Sequence, residues 1–220
     1  MLNNKKSQQI TAIVIAILIT ISLVGAGVFG YFSGGTSPNS SSSSGNNDYS
    51  SLKSRVDTLN KQVKSNPNDI PLQQNLGDAY YDLASSAQKN APNEAQEDYN
   101  QAVKYYQNVL KTKKDINVLT DMATAAFYGG QNDLADNSFK EALAEKPDFQ
   151  QALFNYGVFL SSVKQDYPTA IRMWQTALDK DPNGSNANQL KQLISQTKNM
   201  LTTQPNTYNP GASNPSIKKP

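Results

Sequence analysis

Polarity along the chain falls into three regimes. Residues 10–32 read ITAIVIAILITISLVGAGVFGYF, and no charge occurs between Lys6 and Asp48. At 1.5 Å per residue such a run reaches about 34 Å as a helix, enough to cross a hydrocarbon core of roughly 30 Å. The pattern predicts a transmembrane helix over 10–32 behind a cytoplasmic segment 1–9. Lys5 and Lys6 precede the run and Tyr31 and Phe32 close it. By the positive-inside rule the chain before the run lies in the cytoplasm and everything after it outside. A cleaved export signal, with small residues at Gly25, Ala26 and Gly27, is the competing reading. Against it, the apolar run continues through Val28, Phe29 and Tyr31, and no A-x-A-like site follows.

Residues 33–48 are Gly/Ser/Asn-rich and predict a flexible linker, with an end-to-end distance on the order of 20 Å. Residues 202–220 are Pro/Asn/Ser-rich without apolar periodicity and predict a disordered tail. Between them, from 49 to 201, apolar residues recur at spacings of three and four, the period of a helix with one buried face. Leu52, Val56, Leu59 and Val63 form one stripe that stops at Asn66 and Pro67. Ala95, Tyr99, Ala102, Tyr106 and Val109 form a second, and Leu190, Ile194 and Leu201 a third near the end.

Within this region the pattern repeats. Ala135, Phe139, Ala142 and Pro147 stand at offsets 0, 4, 7 and 12, and Ala170, Trp174, Ala177 and Pro182 stand at the same offsets, 35 residues later from proline to proline. Leu76, Gly77 and Tyr80 precede Ala102, Tyr106 and Val109. Leu119, Met122, Ala123 and Ala126 precede the second set, with Gly130 at the turn, and Leu153, Tyr156, Gly157 and Leu160 precede the third. This order of small, aromatic, small and helix-ending residues resembles the tetratricopeptide repeat (TPR) family, in three repeats over about residues 70–182. The resemblance implies an all-α solenoid of helical hairpins, capped by terminal helices at 51–65 and 186–201. Two departures stand out. Tyr80 and Ala102 are 22 positions apart where Ala126 and Ala135 are 9 apart, and Leu160 and Ala170 are 10 apart. The continuous stripe around Ala95 to Val109 predicts that the long insertion, centred on 85–93, lengthens both helices rather than forming a loop. Lys114 also stands where the closing proline of the first repeat would be.

Composition narrows the function. The 220 residues contain no histidine and no cysteine, which removes imidazole and thiolate catalysis, disulfides and Cys/His metal sites. A net charge of +2 offers no electrostatic case for nucleic acid. Ser161 with Lys164, and Ser195 with Lys198, make S-x-x-K pairs, but no S-D-N or K-T-G completes such a site. Asp78, Asp82, Asp121 and Asp133 form no calcium loop and read as solvated helix surface, Asp133 near a helix cap. Trp174, Tyr106 and Phe139 read as packing residues of the repeat. No catalytic, cofactor or metal site is expected.

The remaining candidate is a binding groove. In TPR proteins the first helices line the concave face, and the resemblance carries that role to Gln74, Asp78, Tyr81 and Asp82, to Thr120, Thr124, Phe127 and Tyr128, and to Gln151, Phe154, Asn155 and Val158. The set holds no Lys or Arg, so the carboxylate clamp of the family's chaperone-binding members is missing. Its aromatics and its carboxylates, taken as uncompensated, imply a protein or peptide partner that is basic with apolar anchors. Several of these aromatics being covered by a terminal helix and binding nothing is the competing reading. The expectation is a membrane-anchored bacterial TPR protein, monomeric and single-pass in the cytoplasmic membrane, whose extracytoplasmic TPR domain holds an envelope or exported protein. A TPR subunit of a respiratory or cytochrome-maturation assembly, and an exported enzyme disfavoured by the absent His and Cys, are the alternatives.

Overall fold

The computed structural model describes residues 45–88 and 91–203, and the expected membrane span, most of the linker and the tail beyond 203 lie outside them. Among the described residues no helix is long and apolar enough to cross a membrane. These residues are helical, without strands, in eight α-helices: α1 Gly45–Ser65, α2 Ile70–Ala87, α3 Pro92–Thr112, α4 Ile116–Tyr128, α5 Asn132–Glu145, α6 Gln150–Phe159, α7 Tyr167–Lys180 and α8 Ala187–Thr203. They group into two compact units divided between Pro147 and Asp148, the first holding α1 to α5 and the second α6 to α8.

Starts and stops follow local chemistry. Asp69 accepts from the Leu72 amide at 2.9 Å, Asp115 from Asn117 at 2.8 Å, and Asp166 from Thr169 at 3.2 Å, so three aspartates cap α2, α4 and α7. Asp133 is not a cap; it lies within the first turn of α5, where its charge complements the helix dipole. Helix α1 begins at Gly45, inside the stretch read as linker, and α8 runs to Thr203, two residues into the stretch read as tail.

In the first unit Val56 of α1 packs with Leu76, Ala79 and Leu83 of α2, flanked by Leu52, Leu59 and Val63. The lengthening is shared as expected: α2 has 18 residues and α3 21, against 13 and 14 in α4 and α5. A Cβ on Gly77 would meet the Tyr106 ring at 3.0 Å, which explains the small residue opposite the aromatic one. Lys114, in place of a proline, bridges to Glu141 at 2.9 Å and Glu145 at 3.3 Å, tying the end of α3 to α5.

In the second unit Trp174 of α7 is 1% exposed and donates its indole N–H to the Phe154 carbonyl at 3.1 Å. The indole lies where a Cβ on Gly157 would stand, so this approach requires glycine. The extra residue between Leu160 and Ala170 is absorbed by a π-helical turn, Leu160–Lys164, closed by Gln165 at φ 55° and by the Asp166 amide donating to the Leu160 carbonyl at 3.0 Å. Gly130 holds the corresponding left-handed position in the first unit, at φ 78°.

Candidate functional site

The groove candidates divide between the two units. In the first, Gln74, Asp78, Tyr81 and Asp82 recur at helical spacing along α2, so one face carries them, and Thr120, Thr124, Phe127 and Tyr128 do the same on α4. Helix α3 fills the space between these helices with Tyr99. Tyr81 meets Tyr99 edge-on at 5.3 Å between ring centroids, Tyr99 stacks on Tyr128 at 5.2 Å, and Tyr128 on Phe127 at 4.6 Å. Tyr81, Thr120, Thr124 and Phe127 are buried, whereas Gln74, Asp78, Asp82 and Tyr128 remain half-exposed. The two threonine hydroxyls donate backwards along α4, Thr120 to the Ile116 carbonyl and Thr124 to the Thr120 carbonyl, each at 2.8 Å.

The carboxylates are not uncompensated. Arg55 of α1 donates to Asp82 Oδ2 at 2.8 Å, and the Tyr106 hydroxyl of α3 donates to Asp78 Oδ1 at 2.8 Å. Neither aspartate is plain solvated surface, since each is half-buried. Burial is the largest influence on both and raises their pKa values, opposed at Asp78 by the Tyr106 hydrogen bond and at Asp82 by the Arg55 charge. Burial also pushes the Tyr128 phenol up to about 12 and raises Tyr81 and Tyr99 further, so these rings act as neutral stacking surfaces.

In the second unit Phe154 and Val158 of α6 are buried, and Gln151 and Asn155 are half-exposed. Their backbone serves the packing: Phe154 accepts from Trp174, and the Val158 carbonyl accepts from Ser161 at 3.0 Å and Ser162 at 2.7 Å. The Ser161 hydroxyl is thus engaged within its own helix, and the Lys164 ammonium lies 5.8 Å from the Phe159 ring centroid. Among the described residues no group of three or more acidic side chains is placed to hold a metal ion.

Sequence reasoning missed Arg55, Tyr99 and Tyr106 as parts of the first unit's site. Tyr99 and Tyr106 sit on the buried stripe of α3, a pattern that announces a core residue and not its hydroxyl's partner. Arg55 precedes Val56 on the edge of the α1 stripe, and that flanking position was the available signal.

Paired helices with a small residue facing a buried aromatic define a TPR-like helical-repeat protein. The family model of the middle TPR-like domain of cilia and flagella-associated protein 70 matches residues 83–205, more than half of the chain. The chain belongs to this TPR-like family. The matched span begins late in α2 and covers every later helix. An uncharacterized protein, ycf37, from Pyropia yezoensis is 29% identical over 112 residues, covering 46% of this chain and 62% of that protein. The chain therefore spans less than two thirds of that relative's length.

Proposed function

We propose that this chain is a membrane-tethered scaffold whose TPR-like hairpins hold a protein partner. The observation that carries the reading is the row of rings that joins α2, α3 and α4 in the first unit, Tyr81 to Tyr99 to Tyr128 to Phe127, with Tyr128 half-buried at its end and Gln74, Asp78 and Asp82 half-buried on the same face of α2 as Tyr81. Pre-stacked aromatics offer contact area at low entropic cost. Two carboxylates against one guanidinium leave a negative balance, which favours a partner segment with Lys or Arg beside an apolar anchor, more weakly than uncompensated carboxylates would. The uncharged run 10–32 behind Lys5 and Lys6 supports a single membrane anchor with the repeats on the extracytoplasmic side of a cytoplasmic membrane.

A photoreactive side chain at Gln74 should crosslink a discrete protein in intact membranes, and the same group at exposed Lys191 on α8 should not. Equal yields from both positions, or none from Gln74, would sink the assignment. Because the chain has no cysteine, Ser42→Cys gives a unique thiol. It should react with a membrane-impermeant reagent in intact cells, and labelling only after lysis would reverse the orientation.

A further inference from the structure

The face read above as the partner site calls for Lys beside an apolar anchor, and the chain carries that combination itself. Beyond Lys198 no charge occurs until Lys218 and Lys219, which directly follow Ile217. Residues 45–147 carry fourteen acidic and eleven basic side chains, so the segment that builds the face is acidic and the end of the chain is basic. On α2, Asp78 and Asp82 stand one turn apart, both half-buried, and Asp82 accepts from Arg55. The row of rings sets their distance from the apolar end of the face. Tyr81 meets Tyr99 at 5.3 Å and Tyr99 meets Tyr128 at 5.2 Å, so the Tyr81 and Tyr128 centroids are at most about 10.5 Å apart. Burial raises the Tyr99 phenol most, and Tyr128 and Asp82 raise it further, which puts both beside one hydroxyl.

We propose that residues 217–219 of the same chain dock on this face and hold it against other partners, with Ile217 on the Tyr128 ring and Lys219 beside Asp82. The proposal rests on the reading of this face as the partner site. In an extended segment, residues two apart project to one side about 7 Å from each other, which gives Ile217 and Lys219 a common side. Pro220 disfavours a helical conformation at Lys219. The lysine stem covers apolar ring surface while its ammonium shares the carboxylate with Arg55. Thirteen residues, 204–216, separate Ile217 from the end of α8 and reach up to roughly 45 Å. A tether of that size gives an effective concentration on the order of 1 mM, so docking with an intrinsic Kd of about 0.1–1 mM fills the face half to nine-tenths of the time. A foreign partner then binds about two- to tenfold more weakly than it would to the bare face.

A water-soluble carbodiimide, which joins an amine to a touching carboxylate, tests the docking on the purified full-length protein in detergent. Lys218 or Lys219 should link to Asp78 or Asp82 in at least about fivefold excess over exposed Asp57 and Asp133, with the Lys114–Glu141 pair at 2.9 Å as the positive control. In an equal mixture of light- and heavy-isotope copies the links should stay within one copy. Links spread evenly over Asp57 and Asp133, or mixed links as abundant as unmixed ones, overturn the proposal, the latter by giving the face to a second copy. Changing Lys218→Glu together with Lys219→Glu should raise capture of a foreign protein from the photoreactive group at Gln74 about two- to tenfold. Capture that occurs but does not change overturns the tail docking and leaves the partner site standing. No capture in either chain overturns the partner site, and the carbodiimide links still decide the docking.

Discussion

Replacing Trp174 with alanine tests the repeat geometry at the point where one residue decides it. The indole is 1% exposed, and its N–H donates to the Phe154 carbonyl at 3.1 Å. Truncation to Cβ removes on the order of 150–200 Å² of buried contact, about 4–5 kcal/mol at roughly 25 cal/mol per Å², and one hydrogen bond worth about 1 kcal/mol. Partial collapse of three helices around the hole offsets some of this, leaving an expected loss of about 3–5 kcal/mol. Urea unfolding of residues 45–203 followed by circular dichroism measures it, because the variant has lost the sole tryptophan and its fluorescence. Gly157→Ala supplies the decisive cross-check, since a Cβ there overlaps the indole nitrogen. Alone, it should cost about 1–3 kcal/mol by overpacking; in the Trp174→Ala background it should be neutral or stabilise by up to about 1 kcal/mol, the helix-propensity gain of alanine over glycine. If Gly157→Ala costs the same in both backgrounds, the close approach of α6 and α7 at this pair is wrong. A Trp174→Ala loss within about half a kcal/mol would mean that the tryptophan is not core, and the repeat register would fall with it.

Gln165→Gly should stabilise the second unit by about 0.5–1 kcal/mol in the same unfolding assay, because Gln165 sits at φ 55°, and Gly130→Ala at φ 78° should destabilise the first unit by a similar amount. Tyr106→Phe removes the 2.8 Å bond to Asp78 and should cost about 1–2 kcal/mol near pH 7. The Asp78 carboxyl is already raised and would rise further without its donor, so this loss should shrink as the pH falls and the carboxyl becomes neutral; a loss that grows in acid refutes the assignment.

The hairpins were legible because close helix contact demands particular residue sizes at particular spacings. Gly77 against Tyr106 and Gly157 against Trp174 are visible as patterns before any coordinates, since a Cβ at Gly157 would overlap the indole and one at Gly77 would crowd the Tyr106 ring at 3.0 Å. The 4,3,4,3 stripe from Ala95 to Val109 likewise foretold long helices in place of a loop. Long-range polar pairing was not legible in the same way. Arg55 and Asp82 are 27 residues apart, and which carboxylate an arginine reaches depends on the rotation of α1 about α2, set by Val56 entering the Leu76, Ala79 and Leu83 cluster. The start of α1 was hidden for a different reason. Gly45, Asn46 and Asn47 are poor helix formers, and composition alone assigned them to the linker.

The two departures from the repeat length are accommodated differently, and helix geometry explains why. From Tyr80 to Ala102 there are 22 positions against 9 from Ala126 to Ala135, and α2 and α3 take up the difference by growing at the ends where they join. Growth there leaves the phase of every earlier residue in α2 and every later residue in α3 untouched. Each new turn finds a partner in the opposing helix, so Leu83, Ala84 and Ala87 continue one stripe while Ala95 and Tyr99 continue the other, all buried. A single added residue has no such partner. Left within the regular helix it would turn the exit of α6 by about 100° and send the chain away from the start of α7. A π turn takes one residue more per turn, so Leu160–Lys164 absorbs the excess before Gln165, and Asp166 can still cap α7. The direction of the turn, fixed by a left-handed residue at Gly130 and at Gln165 alike, is what both hairpins keep, while helix length is allowed to vary.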